Sequence, residues 1–269
     1  MDEIPDSEAA IAANKAAWDA TAPHHRNNAA WRALAAGFAT PGYSCFDAVM
    51  HEVLTEIGLS DKAVAQICCN NGRETISLRN LGAAEAVGFD QSAAFLEQAR
   101  ELNALAQQDC TFVEADANAL PPAYAGHFDL VVITIGVFGW MPDLDRFMVE
   151  AAKLLRPSGE MLVHEEHPVV NMFEPRGPAP LKVAHSYFRD RPFISSEAIL
   201  YDDAPRPEVP RHYWFVHPLG SIFGALLRAG LAIRSFREFP HNISSTEFDR
   251  LETAEALLPM SYLLRASKE

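Results

Sequence analysis

The chain is short of cysteine, short of basic residues relative to acidic ones, and without a long apolar run, and each shortage narrows what it can be. Four cysteines occur in 269 residues, Cys45, Cys68, Cys69 and Cys110, and none has the paired spacing of a metal site. Cys68 and Cys69 are adjacent in an apolar run that reads as a strand, so they point to opposite faces. Free, buried thiols in a reducing cytoplasm are the expectation. The 22 lysines and arginines are outnumbered by 36 acidic residues, giving a formal net charge of −14. A field of that sign repels phosphate backbones and anionic lipid, which argues against a nucleic-acid or membrane partner. No stretch approaches the roughly 20 apolar residues of a membrane span. The opening MDEIPDSEAA lacks the basic-then-apolar order of a secretory leader, so a cytoplasmic location is expected.

What is present is concentrated in residues 63–90, AVAQICCNNGRETISLRNLGAAEAVGFD. Residues 63–69 are a short apolar run of the kind buried on both faces of a parallel sheet. Asn70, Asn71 and Gly72 follow, residue types that tolerate left-handed backbone, so the chain can turn sharply and expose its main chain to a ligand. Residues 73–81 then read as a helix with Gly82 at its end. Residues 86–89 form a second strand, closed by Asp90. In nucleotide-binding folds a carboxylate about 20 residues beyond the turn accepts hydrogen bonds from a ribose.

This stretch resembles the class I S-adenosylmethionine-dependent methyltransferases. Their first motif is an acidic and an apolar residue followed by Gly-Cys-Gly-x-Gly, and here it stands as Gln66-Ile67-Cys68-Cys69-Asn70-Asn71-Gly72. Only the last glycine is kept. Residues 110–115 (CTFVEA) make a third strand, followed by Asp116 and Ala117, which match the places where the family holds the adenine. Residues 128–134 (FDLVVIT) make a fourth, with Asp129 structural at its entry. The glycine-containing turn 135–140 (IGVFGW), a helix over 143–155 and the turn 156–160 (RPSGE) into a fifth strand at 161–165 complete the match over roughly 110 residues. The resemblance implies Cys68, Asn70, Gly72, Asp90, Gln91, Asp116, Ala117 and Ile135 as contacts for S-adenosylmethionine, with S-adenosylhomocysteine as product.

Two flanks are expected to set the substrate. Residues 7–36 read as two helices broken near Pro23, with Trp18 and Trp31 either in a lid over the cofactor or simply packed on the core. His24 and His25 are expected to face solvent. Residues 168–217 carry eight prolines and fit a loop-rich insertion. Within it 193–201 and 211–216 read as an antiparallel strand pair, placing Tyr213, Trp214 and His217 beside the acceptor. A helix over 219–229 and strands at 231–239 and 260–266 follow, joined by a solvated connection at 240–257.

A sulfonium methyl is already activated, so its transfer needs in-line positioning and exclusion of water more than covalent help. A base is required only if the acceptor arrives protonated. His164-Glu165-Glu166-His167 is the densest cluster of candidates. It lacks the i, i+4 histidines of a zinc helix, so no metal is expected. Glu165, His167 and His217 are the candidate catalytic residues, and Trp18, Tyr213 and Trp214 the candidate substrate contacts.

The expectation is thus a seven-stranded, Rossmann-like α/β sheet with helices on both faces. It comprises an N-terminal helical lid (1–60), a cofactor-binding core (61–167), a cap after the fifth strand (168–217) and a closing helix and strand pair (218–269). The implied activity is methyl transfer to a small soluble molecule. The alternative on the same fold is cyclisation or cleavage of the cofactor's aminocarboxypropyl arm, suggested by Cys68 and Asn70. A nicotinamide-dependent oxidoreductase is disfavoured by the missing G-x-G-x-x-G, and a non-catalytic sensor of the cofactor is the remaining rival. A homodimer is left open.

Overall fold

The structure, a computed structural model, describes residues 5–26, 28–201, 204–244 and 246–269. The opening MDEI and position 245 of the 240–257 connection lie outside them. In chain order the helices and strands are α1 (Ser7–Thr21), α2 (Ala29–Phe38), α3 (Ala48–Ile57), β1 (Ala63–Ile67), α4 (Arg73–Asn80), β2 (Glu85–Asp90), α5 (Ala93–Leu105), β3 (Thr111–Glu114), β4 (Phe128–Ile133), α6 (Leu144–Leu154), β5 (Leu155–Glu166), β6 (Phe193–Glu197), β7 (Glu208–Trp214), α7 (Leu219–Arg228), β8 (Leu231–Phe239), α8 (Asp249–Glu252) and β9 (Ser261–Lys268). Seven strands form one sheet in the order β3-β2-β1-β4-β5-β9-β8, and β6 pairs with β7 separately. The seven-stranded α/β expectation is met. Among the described residues no helix is long and apolar enough to cross a membrane.

The chain forms two compact units that interleave in sequence, and the four expected segments do not coincide with them. One unit comprises Ala22–Ile133, Glu150–Leu162 and Ser267–Glu269. At its centre β1 pairs in parallel with β2 and β4, Val64 lying opposite both Ala86 and Leu130. Val64 to Ile67 are all buried, which explains why the run is apolar except at Gln66. Trp31 joins Phe38, Ile76 and Leu102 in a buried cluster, so this indole is core. Asp129 accepts a hydrogen bond from Ala63 N (2.9 Å) and pairs with Arg156, and is therefore structural. Helix α3 was not foreseen. Its signals are local ones: Asp47 caps Met50 N at 2.8 Å, Met50, Val53 and Leu54 make a buried stripe, and Gly58 ends it with φ 66°.

The turn after β1 carries the most unusual backbone. Cys68, Asn70 and Gly72 have φ of 56°, 51° and 73°, so every second residue is left-handed. These are the three places where the motif of the resembled family has glycine. The glycine conformation persists at two positions without the glycine. Asparagine adopts it readily, whereas for cysteine it costs about 1–2 kcal/mol.

The other unit comprises residues up to Thr21, Thr134–Val149 and Val163–Ala266. The buried residues of α1, Ala10, Asn14, Ala17 and Thr21, repeat at helical spacing, and Ala17 packs with Ala198, Leu200 and Val209. β6 and β7 are antiparallel, as expected, with Ile194 opposite Tyr213 and an irregularity between Ser195 and Glu197. Their bounds differ from expectation. β6 stops at Glu197, short of 201, and β7 begins at Glu208 despite Pro210, since among the described residues β7 pairs only with β6 and its other edge has no ladder bond for a proline to remove. β5 likewise starts at Leu155, running through the expected 156–160 turn, with Ser158 at φ 63°.

Only at Gly72 does the turn forbid a side chain outright, since an added Cβ would lie 2.6 Å from Phe112 and 2.7 Å from Ala99. Gly72→Ala is expected to lose about 2–4 kcal/mol of unfolding free energy, combining overpacking with left-handed strain. Cys68→Gly relieves strain but loosens the unfolded chain, and should stay within about 1 kcal/mol of the parent. Urea denaturation of both variants measures this. An equal loss in Cys68→Gly would mean that packing of the cysteine side chain outweighs the strain of its left-handed backbone.

Candidate active site

The first group of site residues lies at the carboxyl ends of β1, β2 and β3. Asp90 Oδ2 accepts from Asn70 N at 2.7 Å, and Oδ1 accepts from Ser92 N at 2.9 Å. The carboxylate therefore closes the left-handed turn against the start of α5. Asn70 Oδ1 accepts from Asn71 N at 2.8 Å, stiffening the turn from within. Ala115 N donates to Asp90 O at 2.9 Å, bringing the Asp116-Ala117 corner to the same end of the sheet. Asp116 Oδ1 accepts from Asn118 N (2.9 Å) and Asn118 Nδ2 (3.0 Å), while Ala117 is buried and Gln91 is half-buried. Cys68, Asn70, Gly72, Asp90, Gln91, Asp116 and Ala117 thus form one constellation.

Two residues here carry signals that the motif comparison passed over. Gln66, at the place of the family's acidic residue, is buried and accepts from Thr75 Oγ1 at 2.5 Å, so it fastens α4 to β1. Asn71 is 7 % exposed, and its Oδ1 is buried without a hydrogen-bond partner among the described residues. A buried acceptor left unpaired costs about 1–3 kcal/mol unless something donates to it.

A second group, including Ile135, surrounds the loop that follows β4 in the other unit. The backbone of this loop is held by distant side chains. Glu165 Oε1 accepts from Gly136 N (2.5 Å), and Oε2 accepts from Phe138 N (3.3 Å). Phe215 N donates to Gly139 O (2.7 Å), Asn14 Nδ2 to Trp140 O (3.4 Å) and His217 Nε2 to Met141 O (2.8 Å). Asn14 also pairs with Tyr213, accepting from its N at 2.8 Å and donating to its O at 3.0 Å. Trp140 is the centre of an aromatic cluster, with ring centroids 5.3 Å from Trp18, 5.0 Å from Trp214 and 5.7 Å from His212. Gly139 permits this packing, because a Cβ there would meet the Trp214 indole at 2.4 Å. Trp18, Tyr213, Trp214, His217 and Glu165 are therefore brought to one loop.

His167 is placed differently. Its Nδ1 accepts from Val169 N (3.1 Å), capping a short 3-10 turn, and its Nε2 lies 3.1 Å from Glu238. Burial holds its pKa below the ordinary value, with Glu238 opposing. Burial likewise holds His217 and His212 down, favouring the neutral ring in each. Asn14, Trp140, His212 and Asn171 were not among the expected site residues. Asn171 accepts from Trp214 Nε1 at 2.9 Å and donates to Glu166 at 3.0 Å. Only Asn14, a polar residue in the apolar stripe of an Ala-rich helix, left a trace in the sequence.

The family model of the methyltransferase domain matches residues 64–159, the interval from β1 into β5. The similarity to that domain is confined to these residues. The phthiotriol/phenolphthiotriol dimycocerosates methyltransferase 1 of Mycobacterium ulcerans is 31% identical to this chain over 119 residues, 44% of this chain and 42% of the relative. The match therefore spans about two fifths of that relative's length. Among solved structures, a Listeria monocytogenes protein assigned as an S-adenosylmethionine-dependent methyltransferase superposes with a TM-score of 0.60 at 18% identity, covering 81% of this chain and 97% of that one. The magnesium protoporphyrin IX methyltransferase of Synechocystis PCC 6803, solved with bound S-adenosylhomocysteine, gives 0.52 at 15% identity, covering 94% and 93%. At these identities the structures share the fold of the methyltransferase domain.

Glu165 is the most perturbed acid of the second group, its pKa pushed up from 4.5 to about 7 by burial, against the pull of backbone N–H groups at Gly136, Glu166, Phe138 and Val137. A folded-state pKa above the unfolded one contributes stability that is full below about pH 4.5 and is lost as the pH rises through about 7. The parent is therefore expected to lose up to roughly 3 kcal/mol of unfolding free energy on this account between about pH 5 and 8. Glu165→Gln should lack that component. Parallel pH profiles of the two proteins in urea denaturation would show that Glu165 ionises in the ordinary carboxylate range.

Proposed function

We propose that this chain is an S-adenosylmethionine-dependent methyltransferase that methylates a small molecule. The observation that carries the reading is the left-handed turn at Cys68, Asn70 and Gly72, tied to Asp90 inside the stretch that matches the methyltransferase domain. The residues present fit the cofactor. The turn keeps the backbone shape that a glycine motif would give, and the buried Asn71 Oδ1 still needs a donor, which the cofactor's ammonium and hydroxyl groups can supply.

In this proposal Asp90 and Gln91 accept the ribose hydroxyls, Asp116 and the Ala117 amide read the adenine, and the turn with Cys68 and Asn70 borders the methionine arm. Ile135 adds an apolar contact. The bound cofactor supplies a methyl group already activated on a sulfonium. The chain's remaining tasks are to orient the acceptor and keep water away. Trp18, Tyr213 and Trp214 are proposed to do so as large, immobilised apolar surfaces. His217, its neutral ring favoured by burial and fixed on Met141 O, is the proposed base for an acceptor that arrives protonated, with His167 as second candidate. The net charge of −14 favours neutral or cationic acceptors over polyanions.

Calorimetric titration with S-adenosylmethionine and S-adenosylhomocysteine, followed by mass spectrometry of the incubated mixture, tests the reading. Micromolar binding of both is expected, and the absence of either would overturn it. Methylthioadenosine formed from the cofactor alone would redirect the assignment to chemistry on the aminocarboxypropyl arm. Asp90→Ala should weaken binding by about 1.5–3 kcal/mol. Because Asp90 also holds the turn, Asn71→Ala is the cleaner companion. Its side-chain oxygen has no hydrogen-bond partner among the described residues, so affinity should fall several-fold while stability holds.

A further inference from the structure

Glu165 is 4% exposed, yet its hydrogen bonds are all to main-chain N–H groups. Oε1 accepts from Gly136 N at 2.5 Å and from Glu166 N at 2.8 Å, Oε2 accepts from Phe138 N at 3.3 Å, and the Val137 amide also contributes. A carboxylate whose oxygens are engaged in this way, out of contact with water, is poorly placed to take a proton from an acceptor. It is well placed to hold a loop.

The backbone shows how. Gly136 has φ 87° and Val137 follows in the right-handed helical region at φ −63°, ψ −46°. A left-handed residue followed by a right-handed one turns consecutive N–H groups toward a common point, which makes a concavity that binds anions. The amides of Gly136, Val137 and Phe138 form such a concavity, and Glu165 fills it. Two further features require this loop shape. Trp140, two residues on, is wedged among Trp18, His212 and Trp214. Gly139 lies directly under the Trp214 indole, with its carbonyl bonded to Phe215 N. A change in the direction of the 136–138 amides would carry both away.

We infer that the loop Thr134–Met141 is an anion-binding nest occupied by the protein's own carboxylate, so that Glu165 is a positioning residue which fixes Trp140 and is not a base for the acceptor. Its consequence for methyl transfer rests on the function proposed above, but the nest itself does not. Removing the carboxylate leaves a site for a small external carboxylate.

Hydrogen exchange of the full-length chain tests this directly. At pH 8, above the pKa of about 7 at which Glu165 ionises, the amides of Gly136 and Phe138 in Glu165→Ala should exchange about 10- to 100-fold faster than in the parent, the range set by losing hydrogen bonds to a charged group. The Val87 amide, in the β2 strand of the other unit, serves as the control and should not change. Added formate should slow the two loop amides back toward the parent rate, whereas chloride at equal ionic strength should not. Near-UV circular dichroism should follow the same pattern, since the tryptophans around Trp140 report its orientation.

Should Glu165→Ala fail to fold, Glu165→Gln provides the second arm. It retains the side chain's volume and one acceptor oxygen but brings an NH2 against the other N–H donor, so at least one of the two amides should accelerate and formate should have no effect. Unchanged exchange in a folded variant, or acceleration in Glu165→Ala that formate does not reverse, would overturn the inference. Titration of the parent with S-adenosylhomocysteine keeps the two readings apart. Failure to bind would remove the methyl-transfer assignment and leave the nest standing, whereas binding with no formate rescue would do the reverse.

Discussion

A buried backbone outside helix and sheet has to find hydrogen-bond partners elsewhere, and in this protein that constraint falls on Thr134–Met141. Val137, Phe138, Gly139 and Met141 are all buried. Side chains and amides from far along the sequence supply what the loop cannot supply itself. Glu165 takes the N–H groups, and Asn14, Phe215 and His217 serve the carbonyls of Trp140, Gly139 and Met141. A buried carboxylate is expensive, and here burial dominates its pKa even though four amides oppose it. Removing the anion would orphan several donors at once, which offsets that expense.

The unit built around β1 meets a comparable demand by different means. Its irregular backbone lies in the turn after β1, where the main-chain conformation itself does the shaping and one carboxylate, Asp90, pins it through Asn70 N. Here the motif is conformational before it is chemical. Reading the turn as a glycine pattern with two letters missing would suggest a damaged site. The φ values at Cys68 and Asn70 show the same curve drawn with other residues, at a cost of about 1–2 kcal/mol for the cysteine.

Those differences explain what was legible in the sequence. Strands β1, β2 and β4 were readable because burial on both faces leaves a mostly apolar run, and α4, α6 and α7 because their stripes and stop signals are local. The Asp90 and Asp116 corners were readable because they follow strands directly. Helix α3 was missed although Asp47 and Gly58 mark its ends, since its stripe of Met50, Val53 and Leu54 is short. The bounds of β5 and β7 were misjudged because Pro157 and Pro210 read as breaks where the pairing tolerates them.

The side-chain roles were the least legible, and the reason is one of sequence distance. Glu165 sits 29 residues from Gly136 along the chain, His217 76 from Met141, and Asn14 199 from Tyr213. No local pattern encodes such pairings. A His-Glu-Glu-His run suggests acid, base or metal chemistry, and what the fold makes of it is individual to each residue. Glu165 serves loop amides, Glu166 takes Asn171, and His167 caps a turn beside Glu238. Alternation along β5 separates neighbours into different surroundings, so a dense cluster of titratable letters at a strand end is dispersed by the strand's own geometry. The chemistry then depends less on how many such groups are present than on which still has a lone pair or proton uncommitted to the main chain. By that measure His217 is a stronger base candidate than Glu165. Its Nε2 proton is fixed by Met141 O, which sets the tautomer, and burial favours the neutral ring.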